Sequence, residues 1–514
     1  MFSKVKSCAV HGVDGRMIDV EADVNDGLPV FTMVGYLSSS VRESSERVRT
    51  ALKNSGFHLP PKRITINLSP ADMRKDGSGY DLAIATAVLL SLGVTAELPM
   101  EQTLVLGELS LDGSIKAIPG VLPMVICARE EGMTSCIVPK ENVQEAALVQ
   151  GISVIGVSSL KETMEYIQGI KEYENTNVEQ PAVDTSEYLY DIDFSDVVGQ
   201  ESIKRGMEIA AAGFHNVLLT GAAGAGKSML AKRLPTILPQ MSFEESLEVT
   251  KIYSVGGMLP PEGGLIHRRP FRAPHHTISE YALIGGGRVP TPGEVSFAHY
   301  GVLFLDELPE FSKPVLEVLR QPLEDRRIRI SRVQASYEFP ADFMFVAAMN
   351  PCPCGNYPDY RRCSCTEQQI RRYQSKVSGP LLDRIDIRME VKGVKQEVLF
   401  SKQKTESSKT IRARVEQARQ MQKERFAGTG LLFNSQLNGK NLEEYITLSE
   451  EGKRLVLQLF EEQELSVRGV HRVLKLARTI ADLAGSEEIE HAHLQEAAFY
   501  RNQDVFAKEV LHGN

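Results

Sequence analysis

The stretch Gly221-Ala-Ala-Gly-Ala-Gly-Lys227-Ser228 constrains this chain more than any other. It satisfies G-x-x-x-x-G-K-[ST] and follows a strand-like apolar run, Asn216-Val-Leu-Leu-Thr220. The backbone there has to turn sharply from strand into helix. Gly221, Gly224 and Gly226 leave it free to aim several N–H groups at phosphate oxygens, at the positive end of a helix starting near Lys227. Lys227 is then placed to reach β and γ phosphates, and Ser228 to ligate Mg²⁺. The pattern predicts a site for a nucleoside triphosphate with Mg²⁺.

Two further apolar runs end in polar groups suited to the same chemistry. Gly301-Val-Leu-Phe-Leu-Asp306-Glu307 reads as a buried parallel strand with acids at its carboxyl edge. Asp306 is placed to hold Mg²⁺ through water, and Glu307 to orient and deprotonate the attacking water. Phe343-Met-Phe-Val-Ala-Ala-Met-Asn350 ends in an amide at the equivalent edge, suited to hydrogen-bond the γ-phosphate or the lytic water. Each run alone is equally a strand with a polar cap. Three in this order make a catalytic edge.

With 514 residues the chain exceeds one core, and 42% hydrophobic content is ordinary for a soluble protein. No apolar run approaches the roughly 20 residues needed to cross a bilayer, and Met-Phe-Ser-Lys-Val-Lys is no signal sequence. The expectation is a cytoplasmic protein without membrane contact. Seven cysteines, an odd number, fit a reducing compartment better than a disulfide framework. The net charge of −9 lies in the first 192 residues, and the near-neutral remainder is free to bind DNA if its cations are grouped.

Residues 1–170 alternate strand-like segments (Ile18 to Val24, Arg63 to Leu68, Thr103 to Leu106, Ser153 to Val157) with helical ones (Val41 to Asn54, Asp81 to Leu92, Met124 to Glu131), which predicts an α+β or α/β domain. An acidic, aperiodic stretch at 171–192 reads as a linker. The ATPase core is expected over 193–395, with a Cys-rich insertion at 351–366, and a mostly helical region over 396–514.

Longer strings narrow the family: Val198-Gly-Gln-Glu201, Arg269-Pro-Phe-Arg-Ala-Pro-His-His-Thr277, Leu319-Arg-Gln-Pro-Leu-Glu324 and Ser378-Gly-Pro-Leu-Leu-Asp-Arg-Ile-Asp386. Together they resemble the magnesium-chelatase-like branch of AAA+ ATPases, and closely the ComM/YifB family. The loop departs in having Ala222 and Ala223 where relatives often have Pro, at positions that contribute backbone. The resemblance implies a multidomain chain: an S5/Lon-like α+β N-terminal domain, an AAA+ α/β P-loop core with a parallel sheet, and a C-terminal helical lid. It also implies a homo-hexameric ring with ATP at each subunit boundary. Arg384 matches the arginine finger that completes the neighbour's site; its alternative role is an ion pair to Asp383 or Asp386. Arg468 matches the lid sensor that contacts its own subunit's nucleotide, with Arg472 as the rival and a surface capping role as the alternative.

The front domain resembles the Lon protease fold through Lys75-Asp-Gly-Ser-Gly79 and Gly107-Glu-Leu-Ser-Leu-Asp-Gly-Ser-Ile-Lys116. Lon needs a serine activated by a lysine. Lys116 falls where that lysine would be, but Gly79 takes the serine position, one residue past Ser78. Proteolysis is therefore not expected, and a scaffold or DNA-facing role is.

Four cysteines crowd into Cys352-Pro-Cys354 and Cys363-Ser-Cys365. Two close pairs are suited to converge on one tetrahedral Zn²⁺, although C-x-C is tighter than the usual spacing and reduced loop thiols are the plain alternative. Such a knot would staple the insertion between Asn350 and Arg384. Cys8, Cys127 and Cys136 read as core residues.

For the substrate, the resemblance implies a DNA motor similar to the family's branch-migration helicase of natural transformation and recombination. Basic groups at Arg268, Arg269, Arg272, His275 and His276, and at Arg326, Arg327, Arg329 and Arg332, are candidate contacts; each is equally a solvated face or a salt bridge. The alternation Arg327-Ile-Arg-Ile-Ser predicts a hairpin strand of the kind that ring motors project into the pore. The alternative is a remodelling ATPase similar to magnesium chelatase, whose motor subunit lacks a Lon-like front domain.

Overall fold

The computed structural model describes residues 1–172, 190–260, 264–332, 335–393, 405–462 and 466–501. Most of the expected acidic linker therefore lies outside the described residues.

The front domain is a mixed seven-stranded sheet. Its strands run in the spatial order Phe31–Val34, Arg63–Ser69, Asp14–Asn25, Phe2–His11, Thr103–Val105, Ser135–Pro139 and Ser153–Val157. The two long strands pair antiparallel from Phe2 opposite Asp23 to His11 opposite Asp14. Alternation decides what covers each face. Val105, Ile137 and Ile155 share a core with the Asp81–Ser91 helix, while Leu104, Cys136, Val138 and Val154 share another with the Val121–Glu130 helix. With both faces covered, the inner strands read as continuous apolar runs.

The P-loop module holds a five-stranded sheet whose recorded pairings are all parallel. Its order is Phe271–Arg272, Val302–Leu305, Met344–Met349, Val217–Thr220 and Ile387–Glu390. Val217–Thr220, earliest in sequence, sits between the two latest strands, and its carboxyl end is the crevice where open α/β sheets bind ligands. Between the strands ending near Asp306 and Asn350 the chain makes the hairpin Arg327–Ser331 with Ser336–Pro340. Period-2 alternation buries Ile328 and Ile330 and turns Arg327 and Arg329 outward.

Helices Ser408–Arg425 and Val467–Leu483 share one apolar core with the sheet, through Ile411, Val415, Leu476 and Ile480 packed with Met207, Val217 and Met389. No helix among the described residues is long and apolar enough to cross a membrane.

The front domain docks on the P-loop module. Lys251 pairs with Asp14 at 3.0 Å, the Gly120 N–H donates to the Ser254 carbonyl at 3.0 Å, and the Ser254 hydroxyl bonds buried Glu145. On the hairpin, the Tyr337 ring stacks on His11 with centroids 4.5 Å apart.

Around the protease-like string, the Ser78 hydroxyl is bonded to the Glu108 carboxylate, and exposed Lys116 lies on the short strand paired with Glu108–Leu109. No hydrogen bond joins Ser78 to Lys116 among the described residues. Lys75 is fully buried, donating to the carbonyls of Pro70 and Met73.

Candidate active site

The phosphate-binding loop is held from below and from the side. Gly221 leaves no room for a side chain, because a Cβ there would stand 2.2 Å from the Val391 carbonyl oxygen. Gln200 adds a brace, donating through Nε2 to the carbonyls of Ala225 (3.2 Å) and Lys392 (3.0 Å). The helix Lys227–Arg233 starts directly behind Gly226.

At this edge of the sheet the structure brings together Lys227, Ser228, Asp306, Glu307 and Asn350. Lys227 Nζ donates to Gly221 O at 2.7 Å, Ala222 O at 2.9 Å and Asn350 Oδ1 at 3.0 Å. Every one of these acceptors is neutral. Burial pulls the Lys227 ammonium below the usual lysine range, while Asp306 and Glu307 pull it back. The Ser228 hydroxyl donates to Asp306 Oδ2 at 2.5 Å, and Asp306 Oδ1 accepts the Glu307 N–H at 3.0 Å. Glu307 itself is exposed and sits at φ 53°, a left-handed conformation that costs a non-glycine residue about 1–3 kcal/mol and recurs at functional sites. A buried ammonium hydrogen-bonded only to neutral acceptors, beside a hydroxyl–carboxylate pair, fits a magnesium triphosphate.

One residue of this edge escaped the sequence. Tyr373 packs beside it with its hydroxyl pushed up to about 12, first by burial and then by Glu310 and Glu307. No motif marks it, because it arrives from the helix Glu367–Gln374.

Arg384 lies at the opposite edge of the sheet. The N–H groups of Asp386 and Ile387 donate to the Asn216 carbonyl, at the start of the Val217–Thr220 strand whose far end carries the phosphate loop. The Arg384 guanidinium is buried, donates to Arg320 O (3.2 Å) and Pro380 O (2.6 Å), and pairs with Glu324. Neither expected acid takes it. Asp383 pairs with Arg501 at 3.5 Å, and Asp386 with Arg472 at 2.6 Å.

That second pair places Arg472, the rival to Arg468 on the lid helix. Arg472 reaches the sheet edge away from the phosphate loop and lines one cavity of about 280 Å³ with Arg384, Arg326 and Lys475. Arg468 is exposed one turn earlier on the same helix. The Val467–Leu483 helix therefore brings Arg472 and Lys475 beside Arg384 of its own chain. Asp386 anchors it: burial opposes ionisation, but Arg472, His215 and Lys475 outweigh it and hold the carboxyl well below the usual carboxylate range.

The four cysteines converge. The sulfurs of Cys352, Cys354, Cys363 and Cys365 all lie within 4.8 Å of one another.

Comparison with known proteins agrees with this architecture throughout its length. Residues 193–399 match the family described as magnesium chelatase, subunit ChlI, residues 20–142 the subunit ChlI of Mg-chelatase, and residues 405–501 the ChlI C-terminal region. The competence protein ComM of Haemophilus influenzae is 41% identical over 503 residues, 97% of each chain. YifB of Escherichia coli is 40% identical over 506 residues, 98% of this chain and 97% of its own. This chain belongs to the ComM/YifB family of magnesium-chelatase-like AAA+ ATPases.

Lon protease 2 of Bacillus subtilis is similar over a shorter stretch, 30% identical over 183 residues and 32% of each chain, in keeping with the Lon-like front of this ComM/YifB member. ATP and Mg²⁺ are the cofactors that AAA+ membership implies.

Among the basic residues expected to meet DNA in this family member, the structure removes one and restrains another. Arg269 is buried, bonded to Glu245 at 3.0 Å and to the carbonyls of Pro239 (2.6 Å) and Tyr300 (2.7 Å), so it holds the module together and has no face for a phosphate. Arg272 is half-buried in a two-pronged pair with Glu294, both contacts at 2.6 Å. Exposed Arg268 lies over the Tyr190 ring at 5.4 Å, and the rings of His275 and His276 stand 4.1 Å apart. Arg327 and Arg329 remain exposed, sharing Glu338 at 2.9 Å each.

Proposed function

We propose that the chain is the subunit of a homo-hexameric, ATP-driven ring motor that acts on DNA, of the branch-migrating kind. The observation that carries this reading is the hairpin with Arg327 and Arg329: it is inserted between the strand that ends at Asp306 and the strand that ends at Asn350, so nucleotide state at those two residues bears directly on it. The name of the Haemophilus relative, a competence protein, supports it.

In the reaction, Lys227 and the loop N–H groups hold the β and γ phosphates, Glu307 takes a proton from the attacking water, and Asn350 holds that water or the γ-phosphate. Ser228 and Asp306 would hold Mg²⁺, whose charge would offset that of the phosphate oxygens. Arg384, on the far edge of the sheet from its own loop, stabilises the charge that develops in a neighbouring subunit's site. Arg468 and Arg472 approach the same boundary. Cys352, Cys354, Cys363 and Cys365 would together hold a structural Zn²⁺.

A second reading, a protein-remodelling ATPase similar to magnesium chelatase, is favoured by Glu338, which offsets one of the two hairpin arginine charges. ATPase assays with forked and four-way DNA separate the two. Stimulation that falls steeply with salt supports the DNA motor, and indifference to every DNA supports remodelling.

A further inference from the structure

The cysteine knot touches the catalytic edge, and the contacts are specific. Three sulfur pairs stand 3.4 Å (Cys352 to Cys354), 3.6 Å (Cys354 to Cys363) and 3.8 Å (Cys352 to Cys363) apart. A tetrahedral Zn²⁺ with bonds of about 2.3 Å sets its ligand sulfurs about 3.8 Å apart, so the cage has nearly the size of the ion's own coordination shell. Cys352 is fully buried and its sulfur accepts the Tyr357 N–H at 3.4 Å, the outer hydrogen bond that commonly orients a metal-bound ligand.

The knot also sits where it governs geometry. Cys352 follows the sensor Asn350 by two residues, and Asn350 accepts from Lys227 at 3.0 Å. Gly355, at the turn of the knot, is pressed on the phosphate loop: a Cβ there would lie 3.4 Å from both the backbone nitrogen and Cβ of Ala223, and 3.8 Å from Asn350 Cγ. From the other end, the helix Glu367–Gln374 follows Cys365 and Thr366, and Gln374 Nε2 reaches back to donate to Pro351 O at 2.9 Å. The same helix carries Tyr373 to the acids of the site and leads on to Arg384.

We infer that the zinc knot is a strut for catalysis: by fixing Pro351 and Gly355 it keeps the Asn350 amide and the phosphate loop in mutual register, so that turnover depends on the ion. The inference rests on the zinc assignment proposed above. A knot that served only to stabilise the fold would have no reason to press Gly355 against Ala223. A displacement of the sensor by about 1 Å is enough to cost on the order of 100-fold in rate.

The test uses the full-length protein, with three readouts: zinc content, ATP affinity from a fluorescent analogue, and kcat. Purified protein is expected to hold about one Zn²⁺ per chain. Less than half an equivalent overturns the zinc assignment itself. Stripping with a zinc-selective chelator, under reductant and with Mg²⁺ in excess, is expected to lower kcat at least 10-fold with ATP affinity little changed, and added Zn²⁺ to restore it. Gln374→Ala keeps all four sulfurs and so separates the two claims. It is expected to retain zinc and melting temperature yet lose several-fold in kcat. If zinc is present but both the stripped protein and Gln374→Ala turn over at the wild-type rate, the ion stands and the strut falls.

Discussion

Arg384 and Glu324 form an ion pair within one subunit, with the arginine side chain 8% exposed and the glutamate 50% exposed. The arginine proposed to serve a neighbour is thus held at home by an acid that solvent and a neighbouring chain can reach. Engaging a phosphate requires the guanidinium to leave Glu324 while its backbone contacts to Arg320 and Pro380 persist or re-form.

Glu324→Gln removes the competing charge without removing bulk. A buried guanidinium deprived of its acid is strained by desolvation and is driven toward any other anion. The expected result is activation at lower protein concentration, with the half-maximal ATPase point moving down by roughly 2–5-fold, the size of about 0.5–1 kcal/mol of released competition. ATPase rate against chain concentration measures it. An unchanged curve would mean that Glu324 does not hold the finger back.

Glu307→Gln and Arg384→Ala fail for different reasons. Each single variant is expected to lose about 100–1000-fold in kcat, the typical toll of removing a charge-stabilising or proton-transferring group. Glu307→Gln keeps ATP binding. Mixed in equal amounts, the two should regain part of the turnover, because some boundaries then join an intact Glu307 to an intact Arg384. A mixture no more active than its components would place Arg384 in the service of its own chain.

The arginines sort by partner. Arg327→Ala with Arg329→Ala should leave basal ATPase in place, abolish DNA stimulation and flatten the salt slope by about 0.9 for each lost phosphate contact. Arg269→Ala is expected to act through the fold instead, losing about 3–5 kcal/mol because Glu245 is left buried without its nearest cation. Chemical unfolding and DNA-dependent ATPase, run on both variants, distinguish the effects.

Asp386 should make stability acid-sensitive. Its folded carboxyl ionises more readily than the unfolded one, which titrates at about 3.9. Between the two values the unfolded chain binds more protons, so stability falls as pH falls. The contribution is complete above about pH 4 and is lost only well below it. Asp386→Asn, which leaves Arg472 and Lys475 facing a neutral amide, should cost about 3–5 kcal/mol at pH 7. That difference should shrink in strong acid. A constant difference from pH 7 to pH 2 would show that the residue contributes packing and not charge.

The three strands that position the candidate site were legible in sequence because strand burial and strand endings are local properties. Val217–Thr220, Val302–Leu305 and Met344–Met349 are buried throughout; the last two are each followed within two residues by a candidate side chain, and the first leads directly into the phosphate loop at Gly221. The hairpin was legible for the same reason, through the alternation of Arg327, Ile328, Arg329 and Ile330. Partners at a distance were not. Nothing in Arg269-Pro-Phe-Arg announces that Glu245 waits inside the module, and a helix pattern at Val467–Leu483 tells which side is apolar but not which sheet edge it meets. The pairing of Arg384 with Glu324 spans 60 residues and two separate helices, and only folding brings it about.

The stack of Tyr337 on His11 carries a mechanical consequence. Any swing of the arm that bears Arg327 and Arg329 must either peel those two rings apart or drag the first domain along as cargo. Probes on the two lobes would report a widening gap in one case and a joint rotation in the other, and His11→Ala would slacken the tow-line, leaving the packing of Gly12 and Val13 on the arm.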